Sequence, residues 1–265
     1  MSKFRRKICL LIDQNDHSAY LMFKAIIKSK YFILDLVIFR NKNHKKIKEF
    51  TKFLNKDSKF YISSFVEKSK KISNYFLKNK LELAISLAWH NKLKKSFLNN
   101  FSVGVVNFHP SPLPLNRGCH STFWGIYNNT NHGSTMHLMD ENWDAGTIIE
   151  KSTFKNKDNF FAEYIFEQSR NHSLRLLNKN LKKLRDLNFK NLKKISRKEL
   201  IKFGYNKKND IKKAVNLFTN QKIKVEKLWN LIKATKFGKH GYYINSGKNR
   251  YLIRSTIEKQ KKSSF

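Results

Sequence analysis

The chain has 265 residues, 40% hydrophobic and 14% aromatic, which is enough for one full-sized domain plus a small appendage and too apolar for a disordered chain. Its apolar runs fall far short of the ~20 residues a membrane span needs, and two cysteines, Cys9 and Cys119, form neither a disulfide scaffold nor a C-x-x-C pair, so a reducing, cytoplasmic setting is expected. With 55 basic against 19 acidic residues, net +36, a polyanion partner is the first reading of the charge, but the lysines are spread along the whole chain and share A/T-rich codons with the abundant Asn, Ile and Phe, so specific nucleic-acid binding is not expected.

Residues 1–7 lead into a short strand-like run, not the apolar core of a signal peptide. Residues 7–12 (KICLLI) read as a buried first strand, and 17–29 show helical spacing through Tyr20, Met22, Phe23, Ile26 and Ile27. Residues 34–40 predict a second strand, 44–54 a basic helix, 72–78 another helix, 82–89 (ELAISLAW) a third strand and 103–109 (VGVVNFH) a fourth. Strands alternating with helices predict an α/β fold, Rossmann-like, with a mostly parallel sheet covered on both faces. Such sheets bind ligands at the carboxyl ends of their strands, which directs attention to residues 86–91 and 107–118.

Further along, 134–140 and 147–154 are strand-like around a polar turn, and 162–187 predict a long basic helix. Residues 190–223 are irregular and lysine-rich. A short amphipathic helix over 225–234 and a hairpin over 242–254, turning at Gly247, complete the chain. The expected division is a catalytic domain over residues 1–190 and a C-terminal helix–hairpin appendage over 191–265.

All three prolines, Pro110, Pro112 and Pro114, stand directly after the fourth strand, in Asn107-Phe108-His109-Pro110-Ser111-Pro112-Leu113-Pro114-Leu115-Asn116-Arg117-Gly118. Proline after His109 ends the strand and stiffens the loop. Asn107 and His109, two apart, leave the same face of the strand. Downstream, Asp144-Ala145-Gly146 sets a carboxylate beside a turn glycine. Each feature alone is usually structural; together, in this order and strand context, they point to a catalytic crevice.

The Asn-x-His-Pro-Ser-x-Leu-Pro-x-x-Arg-Gly run, followed by Gly133–Asp140 (GSTMHLMD) and Asp144-Ala145-Gly146, resembles the N10-formyltetrahydrofolate-dependent formyltransferases, closely over residues 82–154. The resemblance implies a catalytic set of Asn107, His109 and Asp144, with N10-formyltetrahydrofolate as co-substrate and no metal. It also implies a pterin held by backbone groups of the 86–90 and 139–144 loops, with Leu87, Trp89, His90, Asp140 and Trp143 as the cofactor-contact candidates. His132 and His137 read as strand or surface histidines, and Cys119 as a packing residue.

The acceptor is a separate question. Purine-pathway relatives carry a glycine-rich phosphate loop after the first strand, whereas residues 13–18 here (DQNDHS) hold two acids and no glycine, a poor anion nest. Methionyl-tRNA relatives add a larger C-terminal domain. The Trp89-His90 strand end, the run FWGIYN over 123–128 and the short tail from Leu231 to Phe237 with its hairpin resemble the nucleotide-sugar N-formyltransferases instead. The expected acceptor is therefore the amino group of a nucleotide-linked amino-deoxy sugar, first a dTDP-4-amino-4,6-dideoxyhexose, for surface polysaccharides such as the O-antigen of lipopolysaccharide. Methionyl-tRNA, or a basic nucleic-acid-binding module without catalysis, are the alternatives. The tail in that family builds homodimers and usually reads Ile-Arg-Ala; Lys233 replaces that arginine here.

Overall fold

The computed structural model describes residues 4–190, 192–218, 220–236 and 241–254. Phe237 and residues 255–265, parts of the expected tail, lie outside the described residues.

The chain runs β1 (Arg6–Ile12), α1 (His17–Ser29), β2 (Phe32–Phe39), α2 (His44–Thr51), β3 (Lys59–Ile62), α3 (Lys70–Lys78), β4 (Leu81–Leu87), α4 (Lys95–Leu98) and β5 (Phe101–His109). It continues through α5 (Ser121–Tyr127), β6 (His132–Leu138), β7 (Thr147–Phe154), α6 (Ala162–Asp186), β8 (Lys193–Lys194) and α7 (Arg197–Phe203). The last elements are α8 (Asp210–Ala214), β9 (Asn216–Phe218), α9 (Val225–Thr235), β10 (Tyr242–Ser246) and β11 (Asn249–Ile253).

The main sheet has eight strands in the order β3-β2-β1-β4-β5-β6-β7-β8. Pairings from β3 to β5 are parallel and those from β5 to β8 antiparallel. The order reverses between β1 and β4, so a crevice opens at their carboxyl ends.

Alternation along the central strands supplies both layers of core. Ile8, Leu10 and Ile12 pack with Met22, Phe23 and Ile26 of α1 and Leu177 and Leu184 of α6. Cys9 and Leu11 face the other way, toward Ile72 and Tyr75 of α3 and Phe97 of α4. Asp16 caps α1, accepting from Ser18 N at 2.8 Å and Ala19 N at 3.1 Å, and pairs with Arg170 of α6 at 2.6 Å. That cap ties α1 to α6.

β3 escaped sequence analysis because its four residues, half-buried or exposed at the sheet edge, carry no alternation that a core would impose. The irregular 190–223 stretch contains β8, which extends the main sheet beyond β7, and β9, which pairs in parallel with β10. The hairpin is therefore not isolated. β9, β10 and β11 form a three-stranded sheet, whose Leu217 and Tyr242 share a core with Phe123 and Ile126 of α5, Ile165 of α6 and Leu231 and Ala234 of α9. Among the described residues no helix is long and apolar enough to cross a membrane.

Candidate active site

β5 ends at the crevice, and its register with β6 decides what stands beside Asn107 and His109. Asn107 pairs with His137 and His109 with Thr135. Paired residues share a face of the sheet, so all four side chains meet. Val106 and Phe108 point into the core on the opposite face.

Asn107 is held at both ends of its amide. Ser86 Oγ, its neighbour on β4, donates to Oδ1 at 2.9 Å, and Nδ2 lies 3.2 Å from His137 Nε2. His137 is 1% exposed, and burial pushes its pKa down to about 4, with Asp144 partly opposing the shift. The ring is therefore neutral at neutral pH, and its Nε2 lone pair accepts one amide hydrogen of Asn107. The second amide hydrogen remains available to a ligand.

His109 is 6% exposed and sits between two oxygens. Its Nε2 lies 3.1 Å from the Asn116 carbonyl, and its Nδ1 faces Asp144 Oδ2 at 3.4 Å. Asp144 occupies a left-handed conformation, φ 47°, and accepts the Gly118 N–H at 3.0 Å. Its other oxygen is 3.8 Å from His137 Nε2. Gly146 lets this turn lie against β6: a Cβ there would overlap the Leu138 carbonyl oxygen.

Two sets of contacts fix the loops. Thr135 Oγ1 accepts from Leu113 N at 2.9 Å and donates to Ser111 O at 2.8 Å, stitching the proline loop to β6. Lys151 Nζ adds a bond to Leu113 O at 3.0 Å. Arg117 is 5% exposed and donates to Trp143 O at 2.8 Å, Asp144 O at 3.1 Å and Gly204 O at 3.1 Å. One guanidinium thus joins the Asp144 turn to the end of α7.

The cofactor-contact candidates divide by position. Leu87 is fully buried, and Trp89 packs with Leu93, Phe97 and Val105, its Nε1 lacking a partner. Both side chains belong to the core, and the Leu87 carbonyl already accepts the Asp13 N–H at 3.1 Å. Ala88 turns in the left-handed region, φ 54°, and among the described residues the main-chain groups of Ala88, Trp89 and His90 make no hydrogen bond within the chain. These open donors and acceptors at the end of β4 fit the amide-like edge of a pterin. His90 is exposed, with Nε2 3.5 Å from Asp13 Oδ2. Asp140 Oδ1 accepts from Asn142 N at 2.9 Å, and Trp143 is half-buried.

The loop after β1 is occupied by its own polar groups. Asp13 accepts from Arg40 Nη2 at 2.6 Å and Nε at 3.0 Å, and from Asn41 Nδ2 at 3.2 Å. Cys119 lies at the crevice edge; burial, with Asp144 nearby, raises its thiol pKa and keeps it protonated. His137 is the residue sequence reasoning set aside. Only the β5–β6 register, which the sequence does not carry, places it beside Asn107.

Residues 25–174 match the Formyl transferase family, and the chain belongs to that family. A GDP-perosamine N-formyltransferase of Brucella melitensis is 36% identical over 84 residues, 31% of this chain and 32% of that protein. A methionyl-tRNA formyltransferase of Prochlorococcus marinus is 29% identical over 126 residues, 47% of this chain and 38% of that protein. The matched segments thus span only about a third of these curated relatives. The fold is shared along nearly the whole chain with a sugar N-formyltransferase from a Shewanella species (TM-score 0.75, 21% identity, 97% of this chain and 99% of that one). It is likewise shared with a 4-N formyltransferase of Francisella tularensis (TM-score 0.76, 19% identity, 96% and 99%).

Proposed function

We propose that the protein is a cytoplasmic enzyme transferring a formyl group from N10-formyltetrahydrofolate to the amino group of a nucleotide-linked amino-deoxy sugar, first a dTDP-4-amino-4,6-dideoxyhexose. The observation that carries the reading is the convergence of Asn107, His109 and Asp144 in one crevice, each oriented by a further partner.

The folate would be held by the main chain of residues 88–90 and by the 139–144 loop around Asp140 and Trp143, and it supplies the formyl carbonyl on N10. The free amide hydrogen of Asn107 donates to the carbonyl oxygen as negative charge develops there. His109 takes a proton from the attacking amine and returns one to the leaving nitrogen. Nε2 is held by the Asn116 carbonyl, so Nδ1, 3.4 Å from Asp144 Oδ2, is the nitrogen that exchanges the proton, with the carboxylate beside it to stabilise the charged ring. Asp144 also fixes the Gly118 main chain, which keeps the proline loop and the carboxylate in register.

The sugar acceptor is supported by the relative named for GDP-perosamine and by fold likeness over nearly the full length of a sugar N-formyltransferase. The net charge of +36 and the methionyl-tRNA relatives favour a second reading, formylation of methionyl-tRNA. The test is a direct comparison: the purified protein, N10-formyltetrahydrofolate, and either dTDP- and GDP-linked 4-amino sugars or initiator methionyl-tRNA. Formylated sugar nucleotide is expected. Formylation of the tRNA alone, with binding that resists added salt, would replace the sugar by the tRNA.

A further inference from the structure

The carboxylate of Asp144 is two hydrogen bonds away from a segment of the C-terminal third of the chain. Asp144 accepts the Gly118 N–H. Gly118 itself lies beside Asn206 in a parallel bridge: Asn206 N donates to Arg117 O at 2.8 Å, and Cys119 N donates to Asn206 O at 2.8 Å. A Cβ on Gly118 would overlap the Asn206 carbonyl oxygen, so the absent side chain is what allows this approach. Gly204, at φ 55° and ψ −155°, turns the chain out of α7 to reach it, in a conformation that favours glycine. Its carbonyl is held by Arg117, which also holds the Asp144 turn.

Next to this clamp the strap is open to solvent. Tyr205 is 46% exposed, Lys207 and Lys208 are exposed, and Lys207 Nζ lies 6.0 Å from the Tyr205 ring. Among the described residues neither ammonium has a carboxylate within ion-pair distance. Tyr205 and Lys207 flank Asn206, whose main chain is bonded to Arg117 and Cys119 of the catalytic loop. The opposite rim differs. At the end of β1, Asp13, Arg40, Asn41 and Gln14 bond to one another, so the one cation there is already taken up by a carboxylate.

Only one sugar ring separates a reacting amine from the diphosphate of a nucleotide sugar, so the nucleotide must rest on the rim of the crevice. Resting on the acceptor reading above, we propose that residues 204–208 are the nucleotide-recognition edge of the acceptor site. The Tyr205 ring stacks on the base, and the Lys207 and Lys208 ammonium groups meet the diphosphate. An aromatic face for a base beside cations for phosphate is the chemistry of nucleotide capture.

The test is calorimetric binding of dTDP, with GDP as a second probe, to the full-length protein. Tyr205→Ala and the double variant Lys207→Ala/Lys208→Ala are each expected to weaken binding by about 10-fold or more. Tyr205→Phe should restore it, because the ring is kept. Lys70→Ala/Lys71→Ala, which removes the same charge from the start of α3, should leave affinity within about twofold. The exposed positions should keep the thermal midpoint unchanged. In turnover assays the strap variants should raise the acceptor KM and leave kcat at saturation intact. Strap variants that bind both diphosphates like the unmodified protein would overturn the strap assignment and leave the acceptor reading standing. An unmodified protein that binds neither diphosphate would overturn both.

Discussion

The Asn107 amide nitrogen lies 3.2 Å from Nε2 of His137, its direct partner across the antiparallel β5–β6 pair. A histidine 1% exposed thereby fixes the direction of the amide that faces the crevice.

That buried ring makes stability pH-dependent. Burial lowers the pKa of both His137 and His132 to about 4, against 6.5 for an ordinary histidine. The unfolded chain binds protons at these sites first, so their contribution is fully present above pH 6.5 and is lost as pH falls toward about 4. Unfolding free energies from urea titrations between pH 7 and pH 5 should fall, by up to about 2 kcal/mol for each histidine at pH 5. Replacing His132 with Phe should flatten the slope; a pH-independent midpoint in the unmodified protein would contradict this account.

Gly118 is required twice, by its φ of 86° and by the closeness of Asn206. Gly118→Ala should destabilise the fold by about 1–3 kcal/mol or more and reduce activity together with it. Chemical denaturation and turnover on the same preparation check both effects.

Lys233 is 1% exposed, and among the described residues its ammonium lies 4.0 Å from the exposed carboxylate of Asp158 and 5.8 Å from the Trp229 ring. Burial lowers its pKa. A loosely paired buried charge contributes little, so Lys233→Met should leave stability unchanged or raise it by up to about 4 kcal/mol. Urea titration of the two proteins decides; a marked loss would show a partner for the ammonium beyond Asp158.

β11 is the open edge of the three-stranded sheet among the described residues, and Tyr251 and Leu252 on it are 52% and 40% exposed. An uncovered strand edge with apolar side chains is a surface for a second copy. Sedimentation at micromolar concentration is expected to show a dimer, and Tyr251→Asp/Leu252→Asp a monomer. A monomeric unmodified protein would rule out the dimer.

The sequence made the parallel half of the sheet legible because strands buried on both faces are continuous apolar runs, as in β1 and β4. It drew attention to Asn107, His109 and Asp144, which the structure brings together, because proline and glycine punctuate their loops. It could not show His137, whose placement depends on a cross-strand register set by β6 and β7 folding back. Nor could it show the contact of Asn206 with Gly118, which joins segments far apart in the chain through main-chain atoms alone. Nor could it show that the Trp89 ring packs with Leu93, Phe97 and Val105, which depends on how α4 lies against β4.

The central claim is that Asn107, His109 and Asp144 perform the formyl transfer. Steady-state turnover with N10-formyltetrahydrofolate and the amino-sugar nucleotide should fall at least ~10²-fold in each of Asn107→Ala, His109→Ala and Asp144→Ala, the scale of a lost oxyanion donor or general base. Acceptor affinity should change little. Turnover of folded His109→Ala close to that of the unmodified protein would contradict the mechanism.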